Sequence, residues 1–257
     1  MASVGIVVPA YRPDVDQLAA YVEALADRLD PAEIRIELDA ADRPTREALS
    51  VLPATVNAVD ERRGKGAAIT AGFEALDTDV VAFADADGST PAESVADVLT
   101  PVCDGDADLA VGSRRHPDAT VDAHQTMVRR RLGDAFALIA RLLLGVRLRD
   151  FQCGAKAMSA DAWARVRTHL YESGFAWDVE LIAMVQALDC RIVEVPVVWE
   201  DRPGSTVSTV DTTVELAVAL LAARHRAKTL AGHPVHRAIA SRRPRRPSLV
   251  DERVSDD

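Results

Sequence analysis

Short apolar runs alternate with helix-period stretches through the first 114 residues, and that alternation admits few folds. Residues 4–9, 34–38, 56–59, 80–83 and 109–114 have strand length and are rich in Val, Ile and Leu. After the first run, Leu18, Tyr21, Val22, Leu25 and Leu29 recur on one helical face behind a capping acid, Asp14 or Asp16. Strand and helix in repeated alternation predict an α/β fold with a mostly parallel central sheet and helices on both faces. Pro9 is expected to end the first strand, because proline cannot continue a central ladder. Pro196 interrupts the run at residues 192–199, so that strand is expected at a sheet edge. With 257 residues, 48% of them hydrophobic, the chain can bury a substantial core as one large domain or two small ones.

Open α/β sheets bind ligands outside the carboxyl ends of their strands. The fourth run, Val80-Val81-Ala82-Phe83, ends there in Asp85-Ala86-Asp87-Gly88-Ser89. Two carboxylates and a hydroxyl are hard donors, suited to Mg²⁺ or Mn²⁺ rather than to zinc. Mg²⁺ is commonly held by one or two carboxylates plus substrate phosphates, so a diphosphate would complete such a site. The same acids also fit solvated loop positions. Gly64-Lys65-Gly66 opens a helix running to about Ala75. Its glycines would let backbone approach a phosphate, although the spacing is not that of a P-loop and a plain turn reads the same way. Asp39 and Asp42 leave the second strand and suit either a ligand or a helix cap. Arg114 closes the fifth run.

Beyond Arg114 the pattern changes. Residues 116–126 are polar and aperiodic and read as a loop. Arg129-Arg130-Arg131 then leads a helix whose Leu132, Ala135, Phe136, Ile139, Leu142 and Leu143 share a face. A basic first turn on an apolar helix suits a lipid phosphate, and an ordinary core helix with solvated arginines fits equally. Residues 148–158 read as an extended polar segment, and Asp178 and Glu180 as first-turn acids of a helix. Residues 201–208 form a loop able to close over a ligand, residues 212–230 a helix, and the tail from Arg237 reads as disordered. Lysine occurs only at positions 65, 156 and 228 and the net charge is -10, which argues against a nucleic-acid partner. Cys103, Cys153 and Cys190 are widely spaced and read as reduced thiols of a cytosolic protein. No secretory leader is visible and no apolar run reaches the roughly 20 residues of a membrane span.

Val8-Pro9-Ala10-Tyr11, Gly64-Lys65-Gly66, Asp85-Ala86-Asp87-Gly88, Gly112-Ser113-Arg114, the segment from Asp150 to Lys156, Trp177-Asp178-Val179-Glu180 and Glu194-Val195-Pro196 stand in one order. In that order, over about residues 4–210, the chain resembles the family 2 glycosyltransferases, and within them the dolichyl-phosphate glucose and mannose synthases. The resemblance implies a GT-A nucleotide-diphospho-sugar transferase fold for residues 1–210, a C-terminal helix at 211–236 near the membrane surface, and a tail at 237–257. It implies an inverting transfer of a hexose from UDP-glucose, or from GDP-mannose, to dolichyl or polyprenyl phosphate. The protein would sit peripherally on the cytoplasmic face of the cell membrane. Pro9, Ala10, Tyr11 and Asp39 would line the nucleotide, and Lys65 the phosphates. Asp85 would hold the donor and, with Asp87 and Ser89, Mg²⁺ or Mn²⁺. Arg114 with Arg130 or Arg131 would grip the lipid phosphate. Gln152 and Asp178 would lie near sugar and acceptor, and Arg202 and Ser205 in the closing loop. Asp87, Asp178 and Arg114 are thus the expected catalytic set. Departures from the pattern are Ala155 where an aromatic is usual, Thr206 where the loop often carries Lys, and Ala137 where Asn is common. Transfer to a hydroxyl is the alternative chemistry and would need Asp178 as a base. A non-catalytic nucleotide-sugar-binding protein is the alternative of another class.

Overall fold

The computed structural model describes residues 2–122, 127–200, 209–242 and 246–254, without the side chains of 127–132, 209–214 and 253–254. In chain order the elements are β1 (Val4–Tyr11), α1 (Val15–Leu29), β2 (Glu33–Asp39), α2 (Arg43–Leu49), β3 (Thr55–Val59), α3 (Lys65–Ala75) and β4 (Val80–Ala84). There follow α4 (Ala92–Cys103), β5 (Leu109–Ser113), β6 (Thr120–Asp122), α5 (Met127–Leu144), β7 (Ala155–Ser159) and α6 (Ala160–Val166). The chain ends with α7 (Trp177–Ala187), β8 (Ile192–Pro196), β9 (Val198–Glu200), α8 (Thr209–Leu230), α9 (Pro234–Ala240) and α10 (Leu249–Val254).

Seven strands form one sheet in the order β3-β2-β1-β4-β7-β5-β8. Every pairing is parallel except those of β7, which runs antiparallel between β4 and β5. Residue alternation along the strands divides two cores between the two faces. Val7, Val81, Phe83, Leu109 and Val111 face a core shared with α3, α5, α6, α7 and α8. Ile6, Val8, Ala82, Ala84 and Ala110 face the other, built with α1 and α4. The chain lays β1, β2 and β3 in one direction and then returns to place β4 on the other side of β1. The strand order therefore reverses between β1 and β4, and a crevice opens there at the carboxyl ends.

Three expectations need correction. β1 does not stop at Pro9; it pairs with β2 as far as Tyr11, while its ladder with β4 ends at Val7, so Pro9 lies past the last β4 pair. Residues 155–159, read as part of an extended polar segment, are extended but buried, as the central strand β7. Its length and its lysine hid it, because Lys156 is buried only by virtue of a partner supplied from α7. The tail is not wholly without structure. Leu249 and Val250 are buried, and the Leu249 N–H donates to the Leu170 carbonyl at 2.9 Å, docking α10 on the domain. The expected edge position of the Pro196 strand is what β8 shows, and the chain then leaves the sheet to pair β9 with β6. Among the described residues no helix is long and apolar enough to cross a membrane.

Candidate active site

The crevice is walled by Tyr11 at the end of β1, Asp39 at the end of β2, the turn into α3, the loop after β4, Arg114 after β5 and the segment entering β7. Tyr11 and Asp39 are register partners on adjacent strands. Two guanidinium groups stand over the Tyr11 ring, Arg62 at 4.2 Å and Arg12 at 5.3 Å from its centroid. Asp39 is buried, and its carboxylate accepts from the N–H groups of Arg63 and Gly64 at 2.8 and 3.0 Å and from Arg63 Nε at 2.8 Å. It therefore shapes the phosphate-type turn. Asp42, the other acid of that loop, is a helix cap, accepting from the Thr45 N–H at the start of α2.

Gly64 sits at φ 97°, a region side chains rarely adopt, and a Cβ there would stand 2.6 Å from the Ser173 carbonyl oxygen. Gly64→Ala is expected to destabilise the protein by about 2 kcal/mol or more, read as a lowered urea midpoint with an unchanged slope.

Lys65 opens α3 and points across the crevice. Its Nζ lies 2.9 Å from Asp85 Oδ1 and 3.1 Å from Asp178 Oδ2. Asp178, in the first turn of α7, is buried, and its other oxygen accepts from Lys156 Nζ at 2.6 Å. Burial pushes the Asp178 carboxyl up, but Lys156 and Lys65 outweigh it and hold it below the ordinary value. Burial likewise opposes the charge on Lys65, and Asp178 and Asp85 reverse that, so the ammonium is held above its usual range. Both ammonium groups stand over the Phe83 ring, at 5.0 and 5.4 Å from its centroid.

The loop after β4 presents its two acids differently. The Asp85 N–H donates to the Gly154 carbonyl at 2.8 Å, and a Cβ at Gly154 would run into the Asp85 carboxylate. Asp87 is exposed, with Oδ1 accepting from the Ser89 N–H at 2.9 Å. Ser89 is buried, and its carbonyl accepts from the Glu200 N–H. Among the described residues no group of three or more His, Cys, Asp or Glu side chains assembles around a metal position. The oxygens available fit a hard divalent ion that takes its remaining ligands from phosphate and water, since Asp87 keeps an open carboxylate at the crevice mouth.

Arg114 is clamped by Asp150, through Nε at 2.7 Å and Nη2 at 3.0 Å, and lies over Trp199 at 5.7 Å. Burial works against the Arg114 charge, but Asp150 and, more weakly, Asp85 hold it protonated. The Gln152 N–H donates to Asp150 at 3.1 Å. Arg130 and Arg131 belong to the first turns of α5, their side chains lying outside the described residues, as do Arg202 and Ser205. Pro9 and Ala10 precede Tyr11 on β1, Ala10 being buried. Glu180 is also buried, accepting from the Tyr171 and Glu172 N–H groups and from Arg226 of α8, and so fastens α8 to the domain. Sequence reasoning gave no role to Lys156, Asp150 or Arg62. The first two are carried in the segment from Asp150 to Lys156, but only the fold shows which acids and bases meet.

Comparison with known proteins identifies the family and the fold. Residues 5–162 match the model of glycosyl transferase family 2. The glycosyltransferase AglD of Haloferax volcanii is 31% identical over 217 residues, covering 80% of this chain and 34% of that protein. The dolichyl-phosphate beta-glucosyltransferase of Dictyostelium discoideum is 28% identical over 170 residues, covering 65% and 52%. The chain thus spans about a third and about half of the length of these relatives. The undecaprenyl-phosphate mannosyltransferase of Micrococcus luteus is 29% identical over 205 residues, covering 76% and 83%. Glucosyl-3-phosphoglycerate synthase of Mycobacterium tuberculosis, solved with Mn²⁺, UDP-glucose and phosphoglyceric acid, superposes with a TM-score of 0.62 at 18% identity, over 91% of this chain and 81% of that one. That likeness establishes the GT-A fold. With the family model spanning more than half the sequence and the fold agreeing, the chain belongs to glycosyltransferase family 2.

Proposed function

We propose that this protein is an inverting hexosyltransferase that moves a sugar from a nucleotide sugar to a polyprenyl phosphate such as dolichyl phosphate. The observation that carries the choice of acceptor is the state of Asp178. A hydroxyl acceptor needs a carboxylate base, and this carboxylate is buried with both oxygens taken by lysines. A phosphate monoester is already a nucleophile at neutral pH and needs no such base. Its oxygen would attack the anomeric carbon in line as the diphosphate departs, so an α-linked donor gives a β-linked product. The main task is then to stabilise charge gathering on the diphosphate, which falls to Lys65 and to a divalent ion held by Asp87 and Asp85. When bound, that ion would supply electrophilic stabilisation of the leaving diphosphate. Arg114 would meet the acceptor phosphate, helped by the basic first turn of α5. Tyr11, at the carboxyl end of β1 with Arg62 and Arg12 beside its ring, would lie next to the nucleotide base. Relatives carry glucosyl and mannosyl names, and the resemblance in the Asp85 and Gln152 motifs favours UDP-glucose as donor.

Two further features suit an acceptor presented by a membrane. On α5, Leu138, Ile139 and Leu142 are exposed, while Ala137 and Ala140 are buried with Phe136 and Leu143 against the core, so one face of the helix is packed and another is open. Val218 and Leu221 are exposed on α8, which packs beside α5 with Arg224 Nε donating to the Leu143 carbonyl. Residues 127–149 carry six arginines and one aspartate, and residues 209–242 carry five basic and two acidic residues, in a chain of net charge -10. Apolar side chains set in a basic surface favour a peripheral site on anionic lipid.

The test uses the purified full chain, vesicles containing polyprenyl phosphate, Mn²⁺, and a panel of labelled nucleotide sugars, followed by extraction into organic solvent. Label from UDP-glucose in the lipid phase is expected, released by mild acid as a sugar phosphodiester would be. Label reaching only glycan or water, with every donor tried, would refute the proposal.

A further inference from the structure

Four side chains form a ladder of alternating charge from the interior to the crevice mouth. Lys156 is 1% exposed, Asp178 2%, Lys65 10% and Asp85 36%. Consecutive members lie 2.6, 3.1 and 2.9 Å apart. Lys156 is on β7, directly opposite Phe83 of β4, and also donates to the Cys153 carbonyl at 2.9 Å, so its position is fixed by the sheet. Lys156 and Asp178 neutralise each other where neither meets water. Lys65 is then shared between one buried and one exposed carboxylate. The exposed contact is the one most readily exchanged, since screening by water weakens it most.

We propose that Lys156 is a positioning residue: by occupying one oxygen of Asp178 it limits that acid's hold on Lys65, leaving Lys65 to quit Asp85 for an arriving diphosphate. This rests on the nucleotide-sugar reading above. In the free protein Lys65 occupies the Asp85 carboxylate and repels any other cation brought to it. A diphosphate offers Lys65 more negative charge than Asp85 does. Its arrival draws Lys65 away and releases Asp85, so diphosphate and divalent ion each favour the other's binding. Without Lys156, Asp178 would have Lys65 as its one remaining lysine and would pull it inward, away from both Asp85 and the diphosphate.

The experiment measures Mn²⁺ binding to the nucleotide-free protein by the paramagnetic resonance signal of free Mn²⁺, and metal-free binding of UDP and of GDP by calorimetry. Lys65→Met is expected to tighten Mn²⁺ about tenfold and to weaken the nucleotide about tenfold, the scale of one charged hydrogen bond. Lys156→Met should move both affinities in the same directions by a smaller factor. Added to Lys65→Met, it should change neither further, because it acts through Lys65. Independent effects of the two substitutions would overturn the proposal, since a merely structural lysine predicts them. Should Lys156→Met fail to fold, the neutral pair Lys156→Met with Asp178→Leu leaves Lys65 to Asp85 alone, and Mn²⁺ should then bind more weakly than to wild type. Unchanged or tighter Mn²⁺ binding in that variant would also overturn it. If wild type binds neither UDP nor GDP, with or without Mn²⁺, the donor reading itself fails and takes this proposal with it. Nucleotide binding with Mn²⁺ affinity unmoved by Lys65→Met refutes this proposal alone.

Discussion

Asp178→Asn is expected to lower stability by about 3–5 kcal/mol at neutral pH, the usual effect of stripping one partner from a buried ion pair. The substitution keeps the shape of the side chain and removes the charge that two lysines share. Lys156, 1% exposed, is left with an amide oxygen and the Cys153 carbonyl, and Lys65 turns wholly to Asp85. The loss has a definite pH dependence. The folded Asp178 carboxyl lies below the ordinary 3.8, so its contribution is present in full above about pH 4. It disappears as the pH falls through the lowered folded value, because wild type then protonates the same group. The stability gap between wild type and Asp178→Asn should therefore be flat from pH 5 to 8 and close in acid. Urea unfolding followed by circular dichroism at stepped pH measures it. A gap below 1 kcal/mol at pH 7 would mean that the lysines do not depend on this acid.

Much of the architecture was legible because strand runs and helix spacing agree locally from Val4 to Ser113. The five strand runs in that stretch follow from patterning alone, and a capping acid before α1 from side-chain chemistry, with the fold selecting Asp14 over Asp16. β7 was not legible, because Ala155-Lys156-Ala157-Met158 carries neither β-branched residues nor alternation, and its place between β4 and β5 is set by distant partners. The same limit governs the site. Asp85, Asp87, Lys65, Arg114 and Asp178 stood out by residue type and position, and the fold brings Asp85, Lys65 and Asp178 into contact. What each does was hidden, because pairing decides it. Asp39 suited a ligand on its own and turns out to brace the Arg63-Gly64 turn; Asp178 suited a base and is ion-paired twice. The apolar face of α5 stayed open between a lipid-facing and a core role for a related reason. Helical spacing identifies a stripe but not what covers it: Phe136 and Leu143 pack against the core beside buried Ala137 and Ala140, while Ile139 and Leu142 are exposed.

Asp87→Ala should do the reverse of Asp178→Asn: leave the fold nearly unchanged and remove most of the transfer. Asp87 is exposed, and the structural bond its side chain makes is to the Ser89 N–H at 2.9 Å, a local turn contact. Its loss should lower stability by no more than about 1 kcal/mol. Asp85 remains, but it is shared with Lys65, so the variant lacks the carboxylate best placed to hold a divalent ion beside the leaving diphosphate. Removing one preorganised electrostatic contact to a developing charge commonly slows catalysis about 10²–10³-fold, and a fall of at least that size in kcat is expected. Residual transfer should be insensitive to chelator, whereas wild type should lose activity in chelator and regain it with Mn²⁺. The two acids belong to different elements, one in the loop after β4 and one inside the first turn of α7, so a general disturbance of the crevice would injure both properties in both variants. Loss of rate without loss of stability at Asp87, set against loss of stability at Asp178, would assign the chemistry to the exposed acid. Full activity of Asp87→Ala in chelator would instead leave the diphosphate to Lys65 and the arginines alone.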